Sequence, residues 1–177
     1  MKELSLHILD IVENSVRAGA SNVWIEIQEN ERLVILIKDD GRGMSEETLK
    51  HLFDPFFTTR QERRTGLGLS LYREAARRAN GDVIVCSALG AGTTVRADFE
   101  TDHIDRAPLG DVAGTLVTLM ALYPGVDFFF VYRRGGDEFL FSTPEMRTAL
   151  DGVPINHPMA LELVRTTFEE WVRERKT

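Results

Sequence analysis

Residues 53–78 read FDPFFTTRQERRTGLGLSLYREAARR. An aromatic and charged loop runs into Gly66 and Gly68, and a helical pattern follows over Leu67–Ala79. A helix that opens on glycines presents free backbone N–H groups and the positive end of its dipole, which favour an anion. The stretch therefore predicts an anion at the helix start with an apolar-tipped loop closing over it.

Polar side chains beside the glycines fit the same interpretation. Thr65 and Ser70 add hydroxyl donors, and Arg60, Arg63 and Arg64 add positive charge to the loop. The alternative is a flexible loop followed by a glycine helix cap. These residues alone leave both open.

The first helix, over residues 4–18, is predicted from apolar Leu6, Leu9, Val12 and Val16, with Ile8, Ile11 and Ser15 widening the stripe. Asp10 and Asn14 lie four residues apart and share one face, together with Glu13, His7 and Arg17. A carboxylate with an amide oxygen is a modest site for a hard cation such as magnesium. A solvated helix face is the alternative.

Asp39 ends the run LVILIK (33–38), which is continuously apolar and predicts a strand covered on both faces. A buried carboxylate is costly unless it accepts hydrogen bonds. Gly41 and Gly43 remove side chains just beyond it, so that a flat group could approach the backbone. A fixed carboxylate can accept from the N6 amino group of adenine. A tight Asp-Gly turn is the alternative.

Composition limits the function classes. The chain has 177 residues, a formal charge of −7 and 43% hydrophobic residues, which argues for a folded core and against a general nucleic-acid binder. Cys86 is the single cysteine, which excludes disulfides and cysteine-based metal sites. No apolar run reaches transmembrane length and the acidic N-terminus is unlike a signal peptide, so we expect a cytoplasmic protein with no membrane partner.

The character of the chain changes near residue 100. We predict one unit over 1–100 and a small α+β unit over 101–177, joined by the turn-rich segment ETDHIDRAPLGD. The second unit has a helix near 111–123, a hairpin around Gly135-Gly136, and a final helix over about 158–174 with Leu163, Val164, Phe168 and Trp171 on one stripe.

Five segments together resemble the N, G1, F, G2 and G3 boxes of the GHKL ATPase superfamily: ILDIVENSVRAGASNV, KDDGRGMS, FDPFFTTR, TGLGLSL and GAGTTVRADF. The superfamily includes histidine kinases, type II topoisomerase ATPase subunits, MutL proteins and heat-shock chaperones. The resemblance covers nearly all of residues 4–99. It implies an α/β two-layer sandwich, a mixed sheet with helices on one face, that binds ATP and Mg²⁺.

The resemblance also implies residue roles. Asn14 would bind the magnesium ion, and Asp39 would accept from adenine. Gly41, Gly43 and Met44 would lie against the base, with Thr93 or Thr94 closing that end. Phosphate and lid contacts would come from Phe53, Phe57, Thr58, Arg60, Thr65, Gly66, Leu67, Gly68 and Ser70.

Two departures from the family pattern matter. Asp10 stands where the MutL and gyrase branches usually have a glutamate as general base, so Asp10, with Glu13 in reserve, is the catalytic candidate for slow hydrolysis. The family usually has further elements before the first helix. The hairpin over 126–142 could supply the missing sheet edge or belong to a detached domain.

Three functions stay open. We favour an ATP-binding signalling protein of histidine-kinase type that acts on itself or on a response regulator. The alternatives are an anti-sigma-factor-like serine kinase acting on a sigma-type regulator and an ATP-gated interaction module with weak hydrolysis. His103 lies in HIDRAPL, which echoes the phosphoacceptor box of kinases without its acidic neighbour. Chance similarity is the alternative, and a homodimer is left open.

Overall fold

The computed structural model describes residues 2–54, 56 and 65–175. Its helices are α1 (Leu4–Arg17), α2 (Glu46–Lys50), α3 (Thr65–Arg78), α4 (Val112–Leu122), α5 (Thr143–Leu150) and α6 (Pro158–Glu174). Its strands are β1 (Asn22–Glu29), β2 (Arg32–Asp39), β3 (Asp82–Ser87), β4 (Thr93–Glu100), β5 (Asp127–Arg134) and β6 (Asp137–Ser142).

The strands form one sheet in the order β3-β4-β2-β1-β5-β6. Neighbouring strands are antiparallel except β1 and β5, which are parallel, so the sheet is mixed. Every second residue of the central strands is buried, including Ile25, Ile37, Val95 and Phe130, which lie in one row across the sheet. Helices cover that face, which confirms the predicted α/β two-layer sandwich.

The prediction that β2 is covered on both faces is wrong. Leu33, Ile35 and Ile37 are buried, but the residues between them are only half-buried, and Lys38 is exposed. The outer face instead carries a stack of aromatic rings, Trp24 on Phe129, with centroids 5.4 Å apart. The apolar residues of the outer face therefore pack against side chains of neighbouring strands rather than against a second layer of helices.

Helix α1 buries only part of the predicted stripe, together with residues outside it. Its buried residues are Leu4, Ser5, His7, Ile8, Ile11, Val12 and Ser15. Leu6 is exposed, and His7, expected on the solvated face, is inside. The shift arises because α1 faces the sheet on one side and also contacts α3 and α4, so that its buried arc is wider than a single stripe.

The C-terminal hairpin extends the sheet. Strand β5 pairs with β1 along its whole length, from Asn22 opposite Asp127 to Glu29 opposite Arg134. Of the two placements left open, the chain thus adopts the shared sheet. The N–H groups of Leu4 and Ser5 also donate to the carbonyls of Pro108 and Leu109 at 2.9 Å.

An aromatic cluster packs α6 against strands β5 and β6. Phe168 of α6 lies edge-on to Phe130, Tyr132 and Phe139, with centroids 5.1 to 5.6 Å apart. Leu163, predicted on the same stripe, is instead 57% exposed. The buried side of α6 runs through Ala160, Val164 and Phe168.

Candidate functional site

The carboxylate of Asp39 is the centre of the candidate site. It lies at the end of β2 and is 5% exposed. One oxygen, Oδ1, accepts from the backbone N–H groups of Gly41 at 2.9 Å and Thr93 at 3.2 Å. The other, Oδ2, accepts from the hydroxyl of Ser15 at 2.7 Å. These bonds fix the side chain and give the buried carboxyl group the hydrogen-bond donors that it needs.

A cavity of about 110 Å³ opens beside Asp39, between α1, the end of β2 and the start of β4. Apolar side chains from Ile11, Met44, Leu69 and Val95 form much of its wall. Its polar lining includes Asn14, Ser15, Arg17, Arg42, Asp39 and Thr93. An apolar slot with one fixed carboxylate suits a flat ring that carries an amino group.

The glycines after Asp39 are required by their surroundings. Gly43 has φ +70, and a Cβ on it would lie 1.9 Å from the carbonyl oxygen of Ala88. Gly41 is less confined, since a Cβ there would lie 3.0 Å from Ala18 O and from Asp39 Oδ1. The next residue, Met44, donates its N–H to Ser87 Oγ at 2.9 Å. The loop is thus pressed against the β3–β4 turn and shapes one wall of the cavity.

Asn14, Asp10 and Glu13 are half-buried on one side of α1, but they face different neighbours. Asn14 lines the cavity, and its Oδ1 accepts from Arg17 at 3.4 Å. Asp10 forms an ion pair with Lys2 at 2.5 Å. Glu13 pairs with Arg17 at 3.6 Å. Within the described residues, no group of three or more His, Cys, Asp and Glu could hold a metal ion by itself.

The start of α3 lies against α1. A Cβ added to Gly68 would lie 4.0 Å from both Cβ and Oδ2 of Asp10, so the first turn of α3 faces that carboxylate. Leu67 is exposed, and Ser70 donates to the carbonyl of Phe53 at 3.3 Å. The ring of Phe53 lies under the guanidinium of Arg73, at 4.4 Å. These contacts tie the beginning of the loop to α3.

Several residues predicted from the sequence fall outside the part of the chain that the structure describes. Phe57, Thr58 and Arg60 fall outside the described residues, and only the backbone of Thr65 and Gly66, as the first turn of α3, is described. Phe56, at the tip of the loop, is 92% exposed.

Thr93 and Thr94 point to opposite faces of the sheet. Thr93 pairs with Asp39 and lines the cavity. Thr94 pairs with Lys38 and Cys86 in the outer row. The structure therefore brings Thr93 to the site with Asp39, Gly41, Gly43, Met44 and Asn14, and Thr94 lies on the other side.

Sequence reasoning missed Ser15 and Arg42 as site residues. Ser15 was assigned to the apolar stripe of α1, yet its hydroxyl holds Asp39. A polar residue on an otherwise apolar face was the available signal. Arg42 lines the cavity and donates to the carbonyl of Arg17 at 3.3 Å. Its position between two glycines gave no indication of its direction.

His103 lies far from the cavity. It follows the end of β4 opposite Thr93, so roughly 20 Å of strand separates the two residues. Its Nδ1 accepts from the N–H of Asp105 at 3.1 Å.

No helix among the described residues is long and apolar enough to cross a membrane.

Comparison with known proteins agrees with this geometry. Residues 2–103 match the family described as histidine kinase-, DNA gyrase B- and HSP90-like ATPase. Sensor histidine kinase YxdK of Bacillus subtilis is 36% identical over 109 residues, which cover 56% of this chain and 33% of that protein. Sporulation kinase E of the same organism is 34% identical over 95 residues, covering 51% of this chain and 13% of the kinase. The chain therefore spans a third or less of the length of these two relatives.

A solved structure, the N-terminal domain of a DNA repair protein, matches with a TM-score of 0.59 at 12% identity. The match covers 88% of this chain and 59% of the other, so the common fold extends beyond the family region. At this identity the likeness speaks for the fold alone. With the family match over residues 2–103, the chain belongs to the histidine kinase-, DNA gyrase B- and HSP90-like ATPases, the GHKL superfamily.

Proposed function

We propose that this chain binds ATP with Mg²⁺ in the cavity beside Asp39, and acts as a cytoplasmic regulatory kinase or slow ATPase on or with a protein partner. The observation that carries the proposal is the buried Asp39 carboxylate. Three donors already hold it. A carboxylate has about four lone-pair sites, so one remains for the amino group of adenine.

The phosphates would lie toward the first turn of α3. This helix has 14 residues, and its free N–H groups favour an anion at its start. Gly68 leaves the backbone open on the side that faces Asp10. Thr65, Gly66 and Ser70 would add backbone and hydroxyl donors. The lid residues Phe57, Thr58 and Arg60 would close over the phosphates.

Magnesium would bind between the phosphates and Asn14. Mg²⁺ commonly keeps several waters and takes only one or two protein ligands besides phosphate oxygens. Asn14 lines the cavity and offers an amide oxygen whose described donor, Arg17, is at 3.4 Å. The ion would supply charge neutralisation for the phosphates.

Asp10 would act as general base toward a water that attacks the terminal phosphate. Its carboxylate faces α3, whereas the carboxylate of Glu13 is paired with Arg17. The aspartate is one methylene shorter than the glutamate expected from the resemblance, and it forms an ion pair with Lys2. We therefore expect slow turnover.

The partner chemistry follows from the kinase relatives. A phosphoryl group transferred to a response regulator or a sigma-type regulator would suit a chain whose relatives include a sensor histidine kinase and a sporulation kinase. Transfer to His103 would have to come from a second copy, because roughly 20 Å of strand separates it from Thr93. An ATP-gated interaction module with weak hydrolysis is the second candidate, and the Asp10–Lys2 pair favours it.

Labelling with γ-phosphate-labelled ATP and Mg²⁺ tests the proposal. A kinase would leave label on a partner added as cell extract, or on this chain at a rate that rises with protein concentration. A gated module would release free phosphate slowly and label no protein. Absence of both label and phosphate release, with no detectable ATP binding, would contradict the proposal.

A further inference from the structure

Helices α1 and α3 contact each other at two successive levels. At the first, Gly68 faces Asp10, with its added Cβ 4.0 Å from the carboxylate. At the second, the ring of His7 stacks on Tyr72, with centroids 4.9 Å apart and planes at 27°. His7 lies one helical turn before Asp10, and Tyr72 one turn after Gly68. A displacement at the second level therefore moves the first.

The stack is buried, and among the described residues two of its polar atoms have no partner. His7 is 3% exposed and Tyr72 is 1% exposed. Within the described residues, Nδ1 of His7 and the hydroxyl of Tyr72 have no hydrogen-bond partner. Tyr72 is also fixed to the sheet through Phe99, whose ring centroid lies 5.9 Å away. The stack thus links α1 to α3, and α3 to the sheet, through buried rings.

Charged groups surround the stack from each packed element. The charges of Lys2 and Asp10 act on His7. A second cavity, of about 280 Å³, lies beside His7 and is lined by Lys2, by Glu74 and Arg78 of α3, and by Asp105 in the loop after β4. Burial and, to a smaller extent, the charge of Lys2 lower the pKa of His7, and Asp10 opposes both; the net pKa is about 4. A cation over a tyrosine ring is attractive, but here burial outweighs that gain.

We propose that the stack of His7 on Tyr72 positions the first turn of α3 against Asp10, and that protonation of His7 loosens this contact and weakens nucleotide binding. The inference rests on the proposed function. His7 is a positioning residue, since it acts through α3 and touches no nucleotide. An imidazolium has a donor on both nitrogens, and its Nδ1 would have no acceptor among the described residues.

Calorimetric titration of ATP at pH 8 and pH 5, on the full chain and on His7→Phe, tests the inference. Phenylalanine keeps a flat ring and cannot take up a proton. Protonation of the nucleotide itself is common to both proteins, so the ratio of their affinities isolates His7. We expect the wild-type affinity to fall by a larger factor than that of the variant. The shift from 6.5 to about 4 sets an upper limit of about 30-fold at pH 5.

His157→Asn is the matched control. His157 caps α6, with its Nδ1 accepting from the N–H of Met159, and asparagine can keep that cap. This variant should retain the wild-type loss of affinity at low pH. If His7→Phe has the wild-type pH dependence, or if His157→Asn loses it, the inference is overturned.

Hydrogen exchange gives a second readout that does not need the nucleotide. In the wild-type chain, amides of residues 69–72 should lose protection between pH 8 and pH 5, beyond the intrinsic change, and should keep it in His7→Phe. If that variant does not fold, His7→Gln takes its place. Equal protection at both pH values would refute the positioning role. Failure of the wild-type chain to bind ATP at pH 8 would instead count against the proposed function.

Discussion

Replacing Asp39 by asparagine tests how the candidate site recognises its base. The side chain keeps its shape, and its oxygen can still accept from the N–H groups of Gly41 and Thr93. Its NH₂ group would then take the place of Oδ2, and the hydroxyl of Ser15 would turn to accept from it. We expect the folded chain to survive, with a loss of about 1–2 kcal/mol in unfolding free energy as charge assistance disappears.

The loss in binding should be larger and selective. A hydrogen bond to a charged group contributes about 1.5–3 kcal/mol, and in Asp39→Asn a donor would face the donor of adenine. ATP affinity should therefore fall about 10- to 150-fold. The preference for ATP over GTP should fall as well, because guanine carries an acceptor at the equivalent position. Calorimetry with both nucleotides measures these changes.

Asp40→Asn is the matched control for this variant. Asp40 also carries a carboxylate in the same loop, but it accepts from the backbone of Ser21 and from the side chain and backbone of Asn22. The side-chain bond from Asn22 is the main reason that the pKa of Asp40 lies below its usual range. Asp40 does not line the cavity, so its variant should bind ATP normally. Equal losses in the two variants, or wild-type affinity in Asp39→Asn, would refute the reasoning.

Three further predictions concern the glycine loop, the general base and pH. Gly43→Ala should abolish ATP binding and lower the melting temperature, because its Cβ has no room, whereas Gly90→Ala, where nothing lies within 4 Å, should cost only about 1 kcal/mol for its positive φ. Asp10→Asn should lower any ATP turnover about 100-fold in steady-state assays and leave ATP binding intact. Glu13→Gln should change neither turnover nor binding. His7 has a folded-state pKa of about 4, below its unfolded value of 6.5, so its contribution is complete above pH 6.5 and is lost as the pH falls toward 4. Denaturant unfolding should show a loss over that range that is about 3 kcal/mol larger in the wild-type chain than in His7→Phe.

The sequence predicted the cavity wall around Asp39 well, because its signals are local. A carboxylate at the end of an apolar strand, followed by closely spaced glycines, has few structural solutions. The fold class followed from the order of such segments. Gly43 in particular is confined by backbone from another turn, which explains why its type was informative.

Contacts between distant elements were harder to predict. Nothing local in VDFFFVYRR indicates that this strand pairs in parallel with β1, so the shared sheet stayed one of two placements. His7 was placed on the solvated face because of its residue type, whereas stacking on Tyr72 decides its position. Ser15 was placed in the apolar stripe because its neighbours on α1 are apolar, although its own side chain is polar.

The most direct test of the central claim is an amide chemical-shift titration of the isotope-labelled chain with ATP and Mg²⁺. Binding beside Asp39 predicts the largest shifts at Gly41, Gly43 and Thr93 and in the first turn of α3, with the amides of β6 and α6 nearly unchanged. The side-chain bonds that link Asp39 to Gly41 and Thr93 make those two amides sensitive to any group that meets the carboxylate. Shifts confined to β6 and α6, or no shifts at millimolar nucleotide, would contradict the account.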